Sequence, residues 1–128
     1  MMLKRAKTIG LDAIAHARSG DKGNHANIGI VAYTPAGFEF LRRELTADKV
    51  ARFFAYLGCT SIDRFELPKV GALNFVLHNA LAGGASQSLR IDTQGKLLGT
   101  AVLRLRLPAP PDIDLKHMIR PSSEGSQN

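Results

Sequence analysis

The 128-residue chain has no tryptophan and one cysteine, Cys59, so an internal disulfide is excluded. A lone thiol fits a reducing compartment. Cys59 follows Gly58, which suits a helix end, and opens an apolar segment; this is the setting of a buried structural thiol. No apolar run approaches the roughly 20 residues that a membrane-spanning helix needs. Lys4, Arg5 and Lys7 lead into a segment interrupted by Asp12 and His16, so no secretory apolar region forms there. A cytoplasmic protein with no membrane contact is expected. The P-loop lysine motif and a glycine fingerprint running from strand into helix are both missing. His16, His25, His78 and His117 have no ligand spacing, and Asp112, Asp114 and His117 fall near a polar chain end. Neither a metal nor a cofactor is expected.

Aromatic residues are scarce at 6%, which bears on the net charge of +6. Sheet-based RNA readers stack bases on aromatic side chains. The segments Asn27–Tyr33 and Ala101–Leu107 offer only Tyr33, at a strand end, and the cations are scattered along the chain. This speaks against nucleic acid and for small anionic ligands or an acidic protein partner.

The length supports a single domain with one core. Residues 1–10 read as a basic lead-in, 11–108 as the folded domain and 109–128 as a flexible, proline-rich and then polar tail. Leu11–Ala17 alternates as a strand, and Asn27–Tyr33 is a second, closed by Thr34-Pro35. Residues 35–45 fit a packed turn or a short helix. Thr46 suits an N-cap, Asp48 the first turn and Gly58 a left-handed stop. Between them Val50, Phe53, Phe54 and Leu57 form one apolar stripe, and Leu45 can staple onto Val50. Ser61–Leu67 is a strand ended by Pro68. Ala72–Ala82 fits either period; its length and the Gly83-Gly84 stop favour a helix, with Asn74 and His78 one turn apart away from the apolar stripe. Ser86–Asp92 and Lys96–Leu107 read as a hairpin around Thr93-Gln94-Gly95. That pairing puts Arg90, Arg104 and Arg106 on one face, with Leu98 and Val102 on the outer surface. The expected fold is an α+β, ferredoxin-like sandwich: a mixed or antiparallel sheet with two helices on one face.

The run Ala17-Arg18-Ser19-Gly20-Asp21-Lys22-Gly23-Asn24-His25-Ala26-Asn27 has more turn residues than a plain connection needs. Gly20 and Gly23 permit positive φ, so backbone N–H groups can converge on an anion, with Arg18 and Lys22 adding charge. The alternative is a compact loop in which Asp21 pairs with Arg18 or Lys22. The Gly83-Gly84-Ala85-Ser86 turn and Arg90 could join an anion site, although a glycine pair there also simply stops a helix. A serine-hydrolase set of Ser19, Asp21 and His25 lacks the strand–turn–helix context of a nucleophile elbow.

These same stretches resemble the small ferredoxin-fold domain of the acyclic terpene utilisation (AtuA) family. The matching residues are Ile14-Ala15-His16-Ala17-Arg18-Ser19-Gly20-Asp21-Lys22-Gly23-Asn24, Asn27-Ile28-Gly29, Leu45-Thr46-Ala47 and Leu67-Pro68. Ala72-Leu73-Asn74-Phe75-Val76-Leu77-His78, Gly83-Gly84, Ser88-Leu89-Arg90 with Asp92, and Gln94-Gly95-Lys96 complete it. The resemblance implies a ferredoxin-like fold, a place in catabolism of terpenoid or branched acyl-CoA acids, and a separate large AtuA-type subunit as partner. It implies no defined reaction. The leading expectation is an accessory module that binds a carboxylate or acyl-CoA anion through Arg18, Ser19, Gly20, Asp21, Lys22, Gly23, Asn24 and Asn27, with Asn74, His78 and Arg90 beside them. One alternative is an acyl-CoA hydratase or lyase with His78 as base and Asp21 or Asn74 as helper. The other is a structural oligomerisation subunit, and a homo-oligomer is expected.

Overall fold

The computed structural model describes residues 7–80, 96–109 and 115–120. Strand β1 (Thr8–Gly10) passes through one helical turn, α1 (Leu11–Ile14), into β2 (Ala15–Lys22), which turns back as β3 (His25–Ala32). Helices α2 (Pro35–Glu44) and α3 (Ala47–Phe53) follow, then β4 (Ser61–Leu67) and β5 (Ala72–His78). Helix α4 (Lys96–Val102) leads to β6 (Arg106–Pro108). The order β2-β3-β5-β4 makes a four-stranded antiparallel sheet, and β1 pairs with β6 in a small second one. The fold is the expected α+β, ferredoxin-like sandwich. None of the described helices is long and apolar enough to cross a membrane.

Strand alternation divides the large sheet into two faces. Ile28 and Ile30 on β3, with Leu73, Phe75 and Leu77 on β5, are fully buried on the inner face. They share one cluster with Phe40 and Leu41 of α2, Val50 of α3, Phe54, Leu57, and Leu98 and Val102 of α4. Burial of each such side chain contributes about 1.5–3 kcal/mol, so the helical layer and the sheet hold each other in place. On the outer face Asn27 is exposed, and Gly29, Asn74, Val76 and His78 are half-buried.

Local signals place the helices. Thr34 accepts from the Gly37 amide at 3.0 Å with Pro35 in the first turn, so the ambiguous segment 35–45 resolves as the helix Pro35–Glu44 capped by Leu45. Thr46 accepts from the Lys49 amide at 3.2 Å, and Gly58 stops the following 3₁₀ turn at φ 69°.

Four expectations are corrected. Leu11–Ile14 is helical rather than extended, with Leu11 and Ile14 fully buried. Ala72–His78 is a strand, not a helix, because β3 and β4 offer it hydrogen-bonding edges on both sides. Lys96–Val102 is a helix rather than half of a hairpin. Leu98 and Val102, four residues apart, therefore enter the core at 1% and 0% exposure, and the mixed outer surface expected of them with Arg104 does not form. Gly99 lets α4 approach β2: a Cβ there would lie 2.9 Å from Ser19 Oγ. The folded part also exceeds the bounds 11–108. Ile9 is buried in β1, and beyond Ala109 the turn Leu115–His117 brings Met118 into the core, with the Thr34 hydroxyl donating to the His117 carbonyl at 2.6 Å. The turns expected at residues 83–86 and 93–95, the strand expected at 86–92 and Arg90 lie outside the described residues.

Candidate functional site

The stretch expected to be an anion-binding loop is a β-hairpin. Arg18 through Lys22 pair in register with Gly29 through His25, leaving Gly23 and Asn24 as a two-residue turn. Gly23 takes φ +63°, as a glycine in the first turn position does. Gly20 is not among the positive-φ residues and lies within β2. Successive N–H groups of a strand point to opposite sides, so these amides cannot converge into a nest. Strand geometry also separates Arg18 and Asp21 onto opposite faces, and no ion pair joins them.

The sheet nevertheless assembles a site from side chains. One transverse row on the outer face reads Arg18, Gly29, Asn74, Phe65 across the four strands, and the next reads Gly20, Asn27, Val76, Asp63. Two glycines in a checkerboard leave a depression between larger neighbours. A pocket of about 530 Å³ lies there, bordered by Arg18, Gly20, Asn27, Gly29, Asn74 and Val76. Gly29 is the floor: a Cβ at this position would stand 3.7 Å from Asn74 Oδ1. Among the described residues the Arg18 guanidinium takes part in no ion pair. His25 and Ala26 of β3, with Ser19 and Asp21 of the edge strand, complete the border.

At the end of the same face His78 Nε2 meets Asp63 Oδ2 at 2.7 Å, and the His25 ring stands edge-on to His78 with centroids 5.0 Å apart. With Nε2–H donated to the carboxylate, a neutral His78 has its lone pair on Nδ1. Asn79 turns the chain after β5 with φ 59°, a left-handed conformation that asparagine tolerates.

The structure thus brings Arg18, Gly20, Asn27, Asn74 and His78 to one sheet face. It does not place Ser19 with them, because its hydroxyl oxygen accepts from the Gly99 amide at 2.8 Å toward α4. The Ser19–Asp21–His25 hydrolase set is not formed, since Ser19 and Asp21 share the face opposite to His25. Gly23 and Asn24 sit at the exposed turn, away from the pocket border. The Lys22 side chain is outside the described parts. Asp21 is not the partner of His78; Asp63 is. Sequence reasoning missed Gly29, Val76 and Asp63 as site residues. A glycine inside the Ile- and Val-rich β3 was the available signal, because strand glycines mark close approach. Among the described residues no group of three His, Cys, Asp or Glu side chains converges as a metal set. Cys59 is half-buried and burial pushes its thiol up.

The family model of the AtuA ferredoxin-like domain matches residues 9–108, which includes every residue of this site. No curated protein and no solved structure matches the chain.

Proposed function

This chain belongs to the AtuA ferredoxin-like domain family, and we propose that it is a ligand-binding module that holds the anionic group of a terpenoid or branched acyl acid on the outer face of its sheet. It would act beside a large AtuA-type partner. The observation that carries this reading is the glycine-floored pocket of about 530 Å³ with the Arg18 guanidinium at its border, in no ion pair with any of the described residues. That volume lies in the roughly 300–1,000 Å³ range of small-molecule sites. Guanidinium matches a carboxylate or phosphate with paired N–H donors, and the amides of Asn27 and Asn74 supply neutral donors nearby. The binding groups are side chains on a rigid sheet, in place of the loop amides expected from sequence. Phe65 and Leu67, 48% and 44% exposed on β4 of the same face, give a partner subunit apolar surface beside the pocket.

Calorimetry on the full chain tests the assignment, with a branched-chain free acid and its coenzyme A thioester titrated separately. Arg18→Ala should weaken binding at least tenfold without lowering thermal stability. Tight binding of the free acid alone identifies its carboxylate as the anion; binding of the thioester alone identifies a coenzyme A phosphate. Unchanged affinity in Arg18→Ala overturns the site.

A second reading has one specific observation behind it. The Asp63–His78 hydrogen bond orients an imidazole whose neutral form has its lone pair on Nδ1, the arrangement of a general base for acyl-CoA hydration or a related lyase step. Turnover by the purified chain, lost in His78→Ala, would establish it.

A further inference from the structure

We infer that the free edge of β4 joins two copies of this chain, β4 against β4 and antiparallel about Phe65, into one continuous sheet. The inference is independent of the Arg18 reading above. β4 stands last in the order β2-β3-β5-β4, and among the described residues only β5 pairs with it. Alternate main-chain N–H and C=O groups on its other side are therefore open to a further strand. Sheet edges are ordinarily blunted by shortness, lysine, proline, bulges or charges turned toward the core side. This one runs seven residues, holds neither lysine nor proline within Ser61–Leu67, and exposes Ser61, Asp63, Phe65, Glu66 and Leu67. Its blunting charges are Arg64 and Glu66 on the inner face, opposite Phe75 and Leu73. Arg64 is held there by Nε donating to the Leu45 carbonyl at 3.0 Å and Nη2 to that of Arg42 at 2.6 Å, with Nη1 on Glu66 Oε2 at 3.0 Å. These charges reject an apolar strand. Opposite in sign and two positions apart, they fit a copy of the same strand.

Symmetry then selects the register. A closed antiparallel pair of identical strands has its two-fold axis perpendicular to the sheet, so one residue of β4 lies opposite its own copy on that axis. Asp63, Arg64 or Glu66 there would set a charge directly against itself. Ser61, Ile62 or Leu67 there would overlap at most three residues of the strand. Phe65 alone avoids both. Arg64 then faces Glu66 of the second copy and Glu66 faces its Arg64, while the two Phe65 rings meet on the outer face, where cross-strand aromatic pairs add stability. The paired stretch runs from Asp63 to Leu67 and stops where Pro68 has no N–H to give. Both pockets face the same side of the joined sheet.

Sedimentation velocity of the full chain over a concentration series tests this. The wild-type chain should show a monomer–dimer equilibrium with a micromolar Kd, as a short interface gives. Glu66→Arg and Arg64→Glu each set like charges across both pairs and should sediment as monomers. Mixed in equal amounts, the two variants restore opposite charges at both pairs and should form a heterodimer. Circular dichroism checks that each is folded. Arg64 also ties down the Leu45 and Arg42 carbonyls, so if Arg64→Glu does not fold, Phe65→Asp replaces it and should be monomeric. A wild-type chain that stays monomeric throughout overturns the inference. So does dimerisation of Glu66→Arg or Phe65→Asp at wild-type affinity, or failure of the two folded charge variants to associate.

Discussion

Asp63 and His78 are diagonal neighbours on adjacent strands: Asp63 lies opposite Val76, His78 lies opposite Ser61, and the carboxylate reaches back to Nε2 at 2.7 Å. Their side chains are 54% and 31% exposed, so solvent screens the pair and its contribution to stability is small. Its effect is to choose the imidazole tautomer. Asp63→Ala should lower stability in urea denaturation by about 0.2–1 kcal/mol while shifting the His78 ¹⁵N pattern toward a tautomer mixture. An unchanged pattern would show that the carboxylate does not set it.

Gly29 is in a strand without positive φ, so a β-branched residue fits its backbone. A Cβ at this position would meet Asn74 Oδ1 at 3.7 Å, ordinary contact, but the added methyls would occupy the pocket. Gly29→Val should abolish binding of the acid probes and change stability by less than about 1 kcal/mol. Retained binding in a folded Gly29→Val protein would place the ligand elsewhere.

Leu98 distinguishes a core helix from an outer strand. At 1% exposure in α4 it packs in the central cluster, and Leu98→Ala should cost about 2–5 kcal/mol. A surface leucine on a hairpin would cost within about 0.5 kcal/mol. Chemical denaturation separates these outcomes.

Burial raises the Cys59 thiol above its ordinary 9.0. The folded protein therefore holds its proton more tightly than the unfolded chain. This contribution is complete below the unfolded pKa and is lost as pH rises through the folded one. Tyr56, also raised by burial, adds a loss in the same direction that survives removal of Cys59. Cys59→Ala should flatten, without abolishing, the fall in stability above about pH 9; an identical alkaline profile would contradict the burial effect.

What was legible in the sequence followed from local chemistry. Thr46, the stripe of Val50, Phe54 and Leu57 with half-buried Phe53, and Gly58 keep their roles, although the expected single helix divides into α3 and a 3₁₀ turn at Ala55–Leu57. Pro68 ends β4 after Leu67, as its missing N–H requires. Segments 72–78 and 96–102 were not legible in this way. Their apolar residues satisfy both periods, and only partners distant in sequence choose between them. Two strand edges claim the first. The central core claims the second, through Leu98 and Val102. The glycines and asparagines of 18–27 read as a loop because the register with β3 is a property of the pair, not of either segment.

Residue order alone determined the α+β class, the family, and one part of the site. Asn74 and His78, four positions apart, share a face whether the segment is helix or strand, so their association did not depend on which formed. Only the tertiary structure decided that Arg18, Gly29 and Asn74 stand in one row, and that Asp63 rather than Asp21 reaches His78. Those neighbours come from three and two strands respectively. Their contact is set by ladder register and by burial of the inner face, which turns the polar residues together onto the other side.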